Sequence, residues 1–419
     1  MSLPFSAAAR AQDSNSLADA LRATKPLVEA RLAYEWVDQA PDTTFPVNAN
    51  ATTLRARLGA ETGSAWGVVF LAEGEFLTPL NTQYRGDPSV PRKTQHPVVS
   101  DPEAYELNRA QVVYTGAPRT TITLGRQRIS LDDQRFIGGV GWRQNEQTFD
   151  GLRAVIKPTA KLSVDAMYLN RINRIFGHDS PQGAYTGDFF LSNVAYQFAA
   201  GKLSGFAYVF DFDPIAPPAL PAALNPARGS TRTLGARFAG DRPIGPIKLG
   251  YVASYAKQSD YGRNPLISAA APNAMDNAYR LAEVSLGYRQ FVVLLGQEAL
   301  KGNGVAGFAA PLGTLHKFQG WVDKFLATPA NGMDDRYISA SASWKGVGPL
   351  DSLTAATVYH DFRSTRLAQD YGDELDLQVT GKWRRFTGVL KYGDYSESSA
   401  LSPYRDTKKF WAQFEFAWR

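Results

Sequence analysis

The 419-residue sequence has no cysteine and no long apolar run. Without cysteine there can be no disulfide framework, thiol catalysis or cysteine-based metal site. Such a lack is also expected of a chain that crosses an oxidising compartment unfolded, where free thiols would pair wrongly. The longest apolar runs, such as WGVVFLA at 66–72, are far shorter than the ~18 residues that a membrane helix needs. A helical membrane protein is therefore excluded.

The chain also lacks a large excess of either sign of charge. The chain has 45 Lys and Arg against 40 Asp and Glu, a formal net charge of +5. Because basic residues alternate with acidic ones rather than forming a stripe, nucleic acid is not an expected partner. Aromatic residues, by contrast, make up 12% of the chain. That much aromatic surface would collapse in water, which excludes a disordered protein.

The same pattern of alternating hydropathy recurs throughout the chain. Segments of about ten residues alternate apolar with polar or small residues, which is typical of strands with two different faces. In the first segment Val28 and Leu32 share one face, and Glu29 and Arg31 share the other. The alternation predicts about 18 strands, at 27–37, 52–60, 66–77, 106–115, 120–129, 148–157, 161–172, 189–198, 202–211, 231–239, 247–257, 279–288, 290–300, 336–345, 352–362, 373–383, 386–395 and 408–418.

The connections between these strands alternate in length. The joins at 116–118 and 384–385 are short, whereas those at 78–105, 130–147 and 301–335 are long and rich in polar residues, Pro and Gly. Outer-membrane barrels have short periplasmic turns, long extracellular loops and an even strand count. A soluble sandwich explains neither strands this long nor charge on strand after strand. We therefore predict an all-β fold, a transmembrane antiparallel β-barrel in a Gram-negative outer membrane, with a lumen wide enough for water.

The predicted domain organisation has three parts. Residues 1–11 end in the small-x-small pattern Ala9-Arg10-Ala11 and are interpreted as a signal-peptide remnant. Residues 12–26 are interpreted as a periplasmic segment, and 27–419 as the barrel. The expected partners are membrane lipids and lipopolysaccharide, the outer-membrane assembly machinery through the C-terminal strand, and a transported solute.

Charged residues on the polar strand faces are candidates for lining the lumen. Those on the strands are Arg31, Arg55, Arg57 and Arg153. Since Arg suits bidentate pairing with carboxylates, they predict a path for anionic or saccharide solutes. The alternative interpretation is that basic and acidic rows pair across neighbouring strands and only stabilise the wall.

Two loops stand out from the others. The stretch 124–153 concentrates charge around a Gly-Gly-x-Gly sequence and is expected to fold into the bore and narrow it. The stretch 301–326 is too apolar to lie bare in water, so it is expected to pack into the barrel or over its rim. Its apolar spacing, at Leu315, Phe318, Val322, Phe325 and Leu326, predicts a short amphipathic helix. The candidate lining residues in these loops are Arg126, Arg128, Asp133, Arg135, Arg143 and Lys317.

The same two stretches resemble a known family. GRQRISLDDQRFIGGVGWRQNEQTFDGLR and PLGTLHKFQGWVDKFL are similar to segments of the alginate-export outer-membrane barrels. The resemblance implies an 18-stranded barrel that exports an acidic polysaccharide through an electropositive constriction of Arg residues. It further implies that Arg126, Arg135 and Arg143 line the channel and that Asp133 pairs with and orients them. Many similar barrels are uptake porins, so the direction of transport is left undecided.

Catalysis finds little support in the sequence. It contains no GxSxG elbow, HExxH motif or Walker loop. His178-Asp179-Ser180 has the residue types of a hydrolase triad, but adjacent positions do not assemble one. We predict a non-enzymatic passive channel without a cofactor. The alternatives are an outer-membrane hydrolase, and a surface adhesion or interaction barrel with a plugged bore. Calcium binding by loop acids such as Asp101, Asp334 and Asp335 is a further option.

Overall fold

The computed structural model describes residues 16–39, 46–215, 220–398 and 404–418. The predicted signal-peptide remnant, 1–11, lies outside these residues. A short helix, α1 (Leu17–Arg22), precedes the sheet. The strands are β1 Lys25–Gln39, β2 Ala49–Glu61, β3 Val68–Pro79, β4 Ala104–Tyr114, β5 Thr120–Gln127, β6 Thr148–Ile156, β7 Leu162–Asn173, β8 Ala184–Phe198, β9 Gly201–Phe212, β10 Thr231–Ile244, β11 Ile247–Asp260, β12 Asn277–Tyr288, β13 Phe291–Leu300, β14 Met333–Val347, β15 Leu350–Arg363, β16 Asp370–Trp383, β17 Phe386–Ser396 and β18 Thr407–Trp418.

These strands form one closed antiparallel barrel. Each pairs with the next along the chain, and β18 pairs with β1 from Val28 opposite Trp418 to Gln39 opposite Thr407. Every predicted strand overlaps one of the 18 observed strands, so the predicted fold class is confirmed. Closure leaves no unpaired strand edge, and all ladder hydrogen bonds can be made within the sheet.

Exposed apolar side chains cover the outer face of the barrel, whereas most charged side chains of the strands face the lumen, where the long loops also pack a buried apolar cluster. Leu295 on the outer face is 59% exposed, whereas Arg55 and Glu75 on the inner face are completely covered. A soluble protein has the reverse arrangement, because water solvates its exterior. An apolar exterior on a closed barrel is the arrangement that a bilayer stabilises.

The two ends of the barrel differ. One carries turns as short as 199–200 and 384–385, and the other carries long loops such as 80–103. Helix α1 lies at the short-turn end, where the Gly63 N–H donates to the Ala20 carbonyl over 2.9 Å. In the part of the chain that the structure describes, no helix is both long and apolar enough to span a membrane.

Two long loops fold into the bore: loop A (128–147) and loop B (301–332). They are joined to each other, since the Gly138 N–H donates to the Leu312 carbonyl and the Thr314 N–H donates to the Gln134 carbonyl, each over 2.9 Å. Loop A takes the inward course expected of it, and loop B, which was expected to pack into the barrel or over its rim, lies against the inner wall at Glu374 and Asp376. The prediction of a short amphipathic helix in loop B is wrong, because only one 3₁₀ turn forms there, Leu315–Lys317. Its apolar side chains pack instead as irregular chain, with Val322 and Phe325 buried against the inner wall.

Candidate functional site

Loop A is fastened to the β1–β2 wall by Arg31. The Arg31 Nη1 donates to the carbonyls of Gly141, Trp142 and Arg143 over 3.1 to 3.2 Å. Its Nε donates to Glu415 over 2.7 Å. Arg31 was predicted to line the lumen, and the structure places it as a clamp that holds the loop backbone.

Arg55 and Arg57 lie behind the same loop. Both guanidinium groups are 3.4 Å from Glu29, and Arg57 also pairs with Glu75. Each donates to the Gln144 carbonyl of loop A, over 3.3 and 3.4 Å. Because loop A covers them, these two predicted lining residues are buried and hold the loop against the wall.

Arg143, inside loop A, joins three other parts of the chain. Its guanidinium lies 2.8 Å from Glu35 of β1, 3.3 Å from Asp101 of the 80–103 loop and 3.6 Å from Asp323 of loop B. Burial acts to lower the pKa of Arg143, but the three carboxylates outweigh burial and raise that pKa above its usual value. Arg143 therefore stays charged and acts as a staple between the loops.

Arg135 has a similar position on the other side of loop A. Its Nε lies 2.9 Å from Glu298, and its Nη2 donates to Gln319 of loop B over 3.1 Å. The guanidinium also lies over the Phe318 ring, 4.8 Å from its centroid. With 2% of the residue exposed, it has no surface to offer a solute.

Asp133 does not orient the arginines that the family resemblance assigned to it. Its carboxylate accepts from the Arg237 Nε over 3.2 Å and from the backbone N–H of Arg135. The exposed Lys317 donates to the Asp133 carbonyl over 3.0 Å. Asp133 and Lys317 therefore connect loops A and B to each other and to β10.

The prediction that Arg126 lines the channel is not supported by its position. Arg126 shares its strand face with Leu124, which is exposed on the outside of the barrel. It makes a bidentate pair with Asp150 of β6, with distances of 2.8 and 2.9 Å. The two residues lie near the long-loop end of the outer surface, where a polar pair can meet the membrane interface.

Three arginines that face the lumen, two on the inner wall and Arg128 at the start of loop A, remain partly exposed while their acidic partners are covered. We call Arg109, Arg128 and Arg153 the wall arginines. The Arg128 side chain is 23% exposed and its partner Glu73 is 1% exposed. Arg109 also pairs with Glu73, at 2.8 Å, and Arg153 pairs with Asp165, at 2.6 Å. Each uses its Nε and Nη2, and no Nη1 of the three has a hydrogen-bond partner among the described residues.

A cavity of 410 Å³ opens at the short-turn end of the same wall. Its charged lining residues are Arg119, Lys157, Lys161 and Lys202, and no acidic residue lines it. We call it the basic vestibule. Its one ion pair within the described chain joins Lys202 to Asp132 of loop A over 2.7 Å.

Arg128 and Arg153 were predicted to line the lumen, but Arg109 and the vestibule residues were missed. The available signal was that two short turns, 115–119 and 157–161, both carry bases.

The acidic residues of the opposite wall are covered by loop B. Glu374 accepts the Val322 N–H over 2.7 Å, and Asp376 accepts the Trp321 N–H over 3.1 Å. Glu374, Asp376 and Glu298 are all buried. Loop B therefore removes these three carboxylates from the surface that a solute can meet.

The candidates for catalysis and calcium binding are engaged elsewhere. His178 lies 3.1 Å from Asp179, while the Ser180 hydroxyl donates to Asp87. Asp101 bonds Arg143, and Asp335 bonds His360. Within the described ranges, no group of three or more His, Asp or Glu residues is arranged to hold a metal ion.

Comparison with known proteins agrees with the barrel. Residues 80–264 match the family described as alginate export. The matched range contains the first of the two stretches on which the resemblance was based, and the second lies beyond it. No curated protein matches the chain.

Solved structures from Pseudomonas aeruginosa share the fold over nearly all of their length. OccK9 (OpdG) superposes with a TM-score of 0.69 at 13% identity, covering 95% of this chain and 100% of that one. OpdQ gives 0.67 at 14% identity, covering 96% and 99%. OpdK crystallised with vanillate gives 0.67 at 14% identity, covering 95% and 100%. The chain is a multi-pass barrel of the Gram-negative outer membrane, so its short turns face the periplasm.

Proposed function

We propose that this barrel is a channel through which anionic, carboxylate-bearing solutes diffuse passively across the outer membrane. The observation that carries the proposal is the basic vestibule, whose charged lining is entirely basic. The wall arginines extend the same sign of charge up the lumen, because each is more exposed than its acidic partner.

The pairing of the wall arginines suits transport rather than tight binding. A channel must attract a solute and also release it, so its sites have to be weak and several. Glu73 and Asp165 fix the arginines in place and partly cancel their charge. The remaining Nη1 groups can donate to a passing carboxylate, and the neighbouring acids limit how long it stays.

The solute class is supported by the chemistry named for similar proteins. The family matched by residues 80–264 is described as alginate export, and a structure of the similar OpdK holds vanillate. Alginate and vanillate both carry carboxylates. Loops A and B occupy part of the bore, so the path left for a solute is narrower than the barrel wall alone would allow.

Planar-bilayer recording in a KCl gradient tests the proposal. The wild-type barrel is expected to conduct with a reversal potential that favours anions. A triple variant of the vestibule, Arg119→Gln, Lys157→Gln and Lys161→Gln, is expected to shift the reversal potential toward cations. Arg263→Gln is the control, because its exposed pair with Asp213 lies on the extracellular side. A cation preference in the wild type, or no shift in the triple variant, would contradict the proposal.

A surface-interaction barrel with a closed bore is the second candidate. It is favoured by the hydrogen bonds that join loops A and B within the lumen. Absence of single-channel current from folded protein would support this function and exclude the channel.

A further inference from the structure

The outer surface carries an apolar groove of 830 Å³ that channel function does not require. It crosses β15 to β18 and β1 on the face that meets lipid. A drug-sized ligand pocket is typically about 300 to 1,000 Å³. Its principal apolar lining residues are Leu32, Leu353, Trp383, Phe386, Leu390 and Phe414.

Two glycines form the floor of this groove. Gly381 and Gly388 lie directly opposite each other on β16 and β17, between Leu353 on one side and Phe414 on the other. Neither has a positive φ angle. A Cβ at Gly388 would meet nothing within 4 Å, and one at Gly381 would meet only Leu350, at 3.5 Å and beyond. Backbone geometry and packing therefore do not require glycine here, and glycine in a strand often marks a close approach by a ligand.

Aromatic rings form one side of the groove and continue to the periplasmic turn. Trp383 stacks on Phe386 with centroids 5.5 Å apart, and Phe386 stacks on Phe414 at 5.4 Å. The three rings therefore form one continuous stacked surface along this side. An acyl chain lying on the glycine floor would contact ring faces along its length.

The groove ends at a pair of arginines, Arg384 and Arg385, in the turn between β16 and β17. Their guanidinium groups lie over the rings of Trp383 and Trp418, 5.5 and 4.6 Å from the centroids. Neither forms an ion pair with a carboxylate in the described part of the chain. Asp351 is engaged with the backbone N–H of Arg384. These arginines lie at the periplasmic end, at the level of lipid headgroups in the inner leaflet.

We propose that this groove and turn form a binding site for an anionic phospholipid of the inner leaflet. One acyl chain lies on Gly381 and Gly388, and the phosphate of the headgroup receives hydrogen bonds from Arg384 and Arg385. Because the groove faces the hydrocarbon of the bilayer, burying an acyl chain in it gives little selectivity between one lipid and another. The paired basic residues supply the preference for an anionic headgroup.

Native mass spectrometry of the full-length barrel in detergent tests this site, with phosphatidylglycerol or phosphatidylcholine of equal acyl length added. Wild type is expected to retain one phosphatidylglycerol, with a preference of roughly thirtyfold over phosphatidylcholine, the effect of two basic residues at a membrane surface. The double variant Gly381→Leu, Gly388→Leu fills the groove and is expected to lose retention. Arg384→Gln with Arg385→Gln is expected to remove the headgroup preference.

Two control variants match these changes elsewhere on the barrel. Gly205→Leu adds the same side chain at an exposed strand glycine with nothing within 4 Å. Arg289→Gln removes an arginine of another periplasmic turn, which lies over Tyr288 and has φ 53°, close to the 51° of Arg384. Both are expected to behave as wild type.

Three results would overturn the proposal. The first is equal retention of the two lipids by the wild type, and the second is unchanged retention in the leucine variant. The third is a dimer mass in the wild type that is lost in the Gly381→Leu, Gly388→Leu variant. The groove would then be occupied by a second copy of the chain rather than by a lipid. Unchanged electrophoretic mobility of the folded barrel shows that each variant still folds.

Discussion

Replacing Arg143 with glutamine is expected to release the inward loops while leaving the barrel wall intact. The Arg143 guanidinium is the only group of its loop placed between Glu35, Asp101 and Asp323 in the described structure. Glutamine keeps much of the side-chain volume but removes the charge. Three buried carboxylates then face one another with Lys409, 3.5 Å from Asp323, as the main remaining cation.

The size of the effect follows from that burial. Removing one partner of a buried ion pair typically costs about 3 to 5 kcal/mol, since it leaves an uncompensated buried charge. Every 1.4 kcal/mol changes an equilibrium about tenfold. The population with undocked loops should therefore rise by roughly two to four orders of magnitude. The 18-stranded ladder makes no use of Arg143, so the barrel itself should remain folded.

Single-channel recording measures this release directly. The Arg143→Gln variant is expected to show a larger mean conductance and frequent transitions between levels, because loops A and B no longer hold one arrangement. Arg263→Gln removes an exposed pair, for which about 0 to 1 kcal/mol is typical, and should conduct as wild type. A steady, unchanged conductance in Arg143→Gln would refute the staple role of this residue.

Three further predictions concern loop A and the inner wall. Burial acts to raise the pKa of Glu146 in loop A, but the neighbouring arginines outweigh burial and lower that pKa to about 2. Docking of loop A should therefore weaken by about 3 kcal/mol as the pH falls from about 4.5 to 2, because Glu146 then loses its charge. The weakening is measured as rising conductance noise. Phe136→Ala removes a ring packed against four aromatic neighbours and should cost about 3 kcal/mol of docking, seen as faster hydrogen exchange confined to loop A. Exchanging Arg153 and Asp165 (R153D with D165R) keeps the net charge and is expected to reduce anion preference in reversal potentials. An unchanged preference would show that the position of the charge within the pair is immaterial.

The strands could be predicted from the sequence because lipid and water impose opposite demands on alternate residues. Val28 and Leu32 face lipid while Glu29 and Arg31 face the lumen, and this difference is visible in one segment without knowledge of any other. Strand ends were less well placed, since β1 extends to Gln39, beyond the last apolar residue of its pattern. The hydrogen bonds between strands continue beyond the bilayer, where both faces of a strand meet water. Side-chain polarity there no longer shows which face of the strand points outward.

The lumen could be predicted only as a set of residue types. The course of loop A depends on contacts with residues more than 100 positions away, such as Arg31 with the Gly141 carbonyl. Single-sequence patterns carry no information about those pairs. Arg126 shows a different cause of error: its alternation with Leu124 already placed it on the lipid face, but the charge favoured a lumen interpretation.

The near-balance of charge in this chain does not describe the surface that a solute meets. Acidic side chains of the β13–β16 wall are covered by loop B, and Glu73 lies beneath Arg109 and Arg128. The basic vestibule lacks any such cover. Folding therefore separates the two signs by exposure rather than by number, because loop B covers carboxylates of one wall, loop A covers Arg55 and Arg57 together with their acidic partners, and the vestibule leaves only basic groups accessible. A lumen can in this way favour anions while the ion pairs that order it keep the total charge at +5.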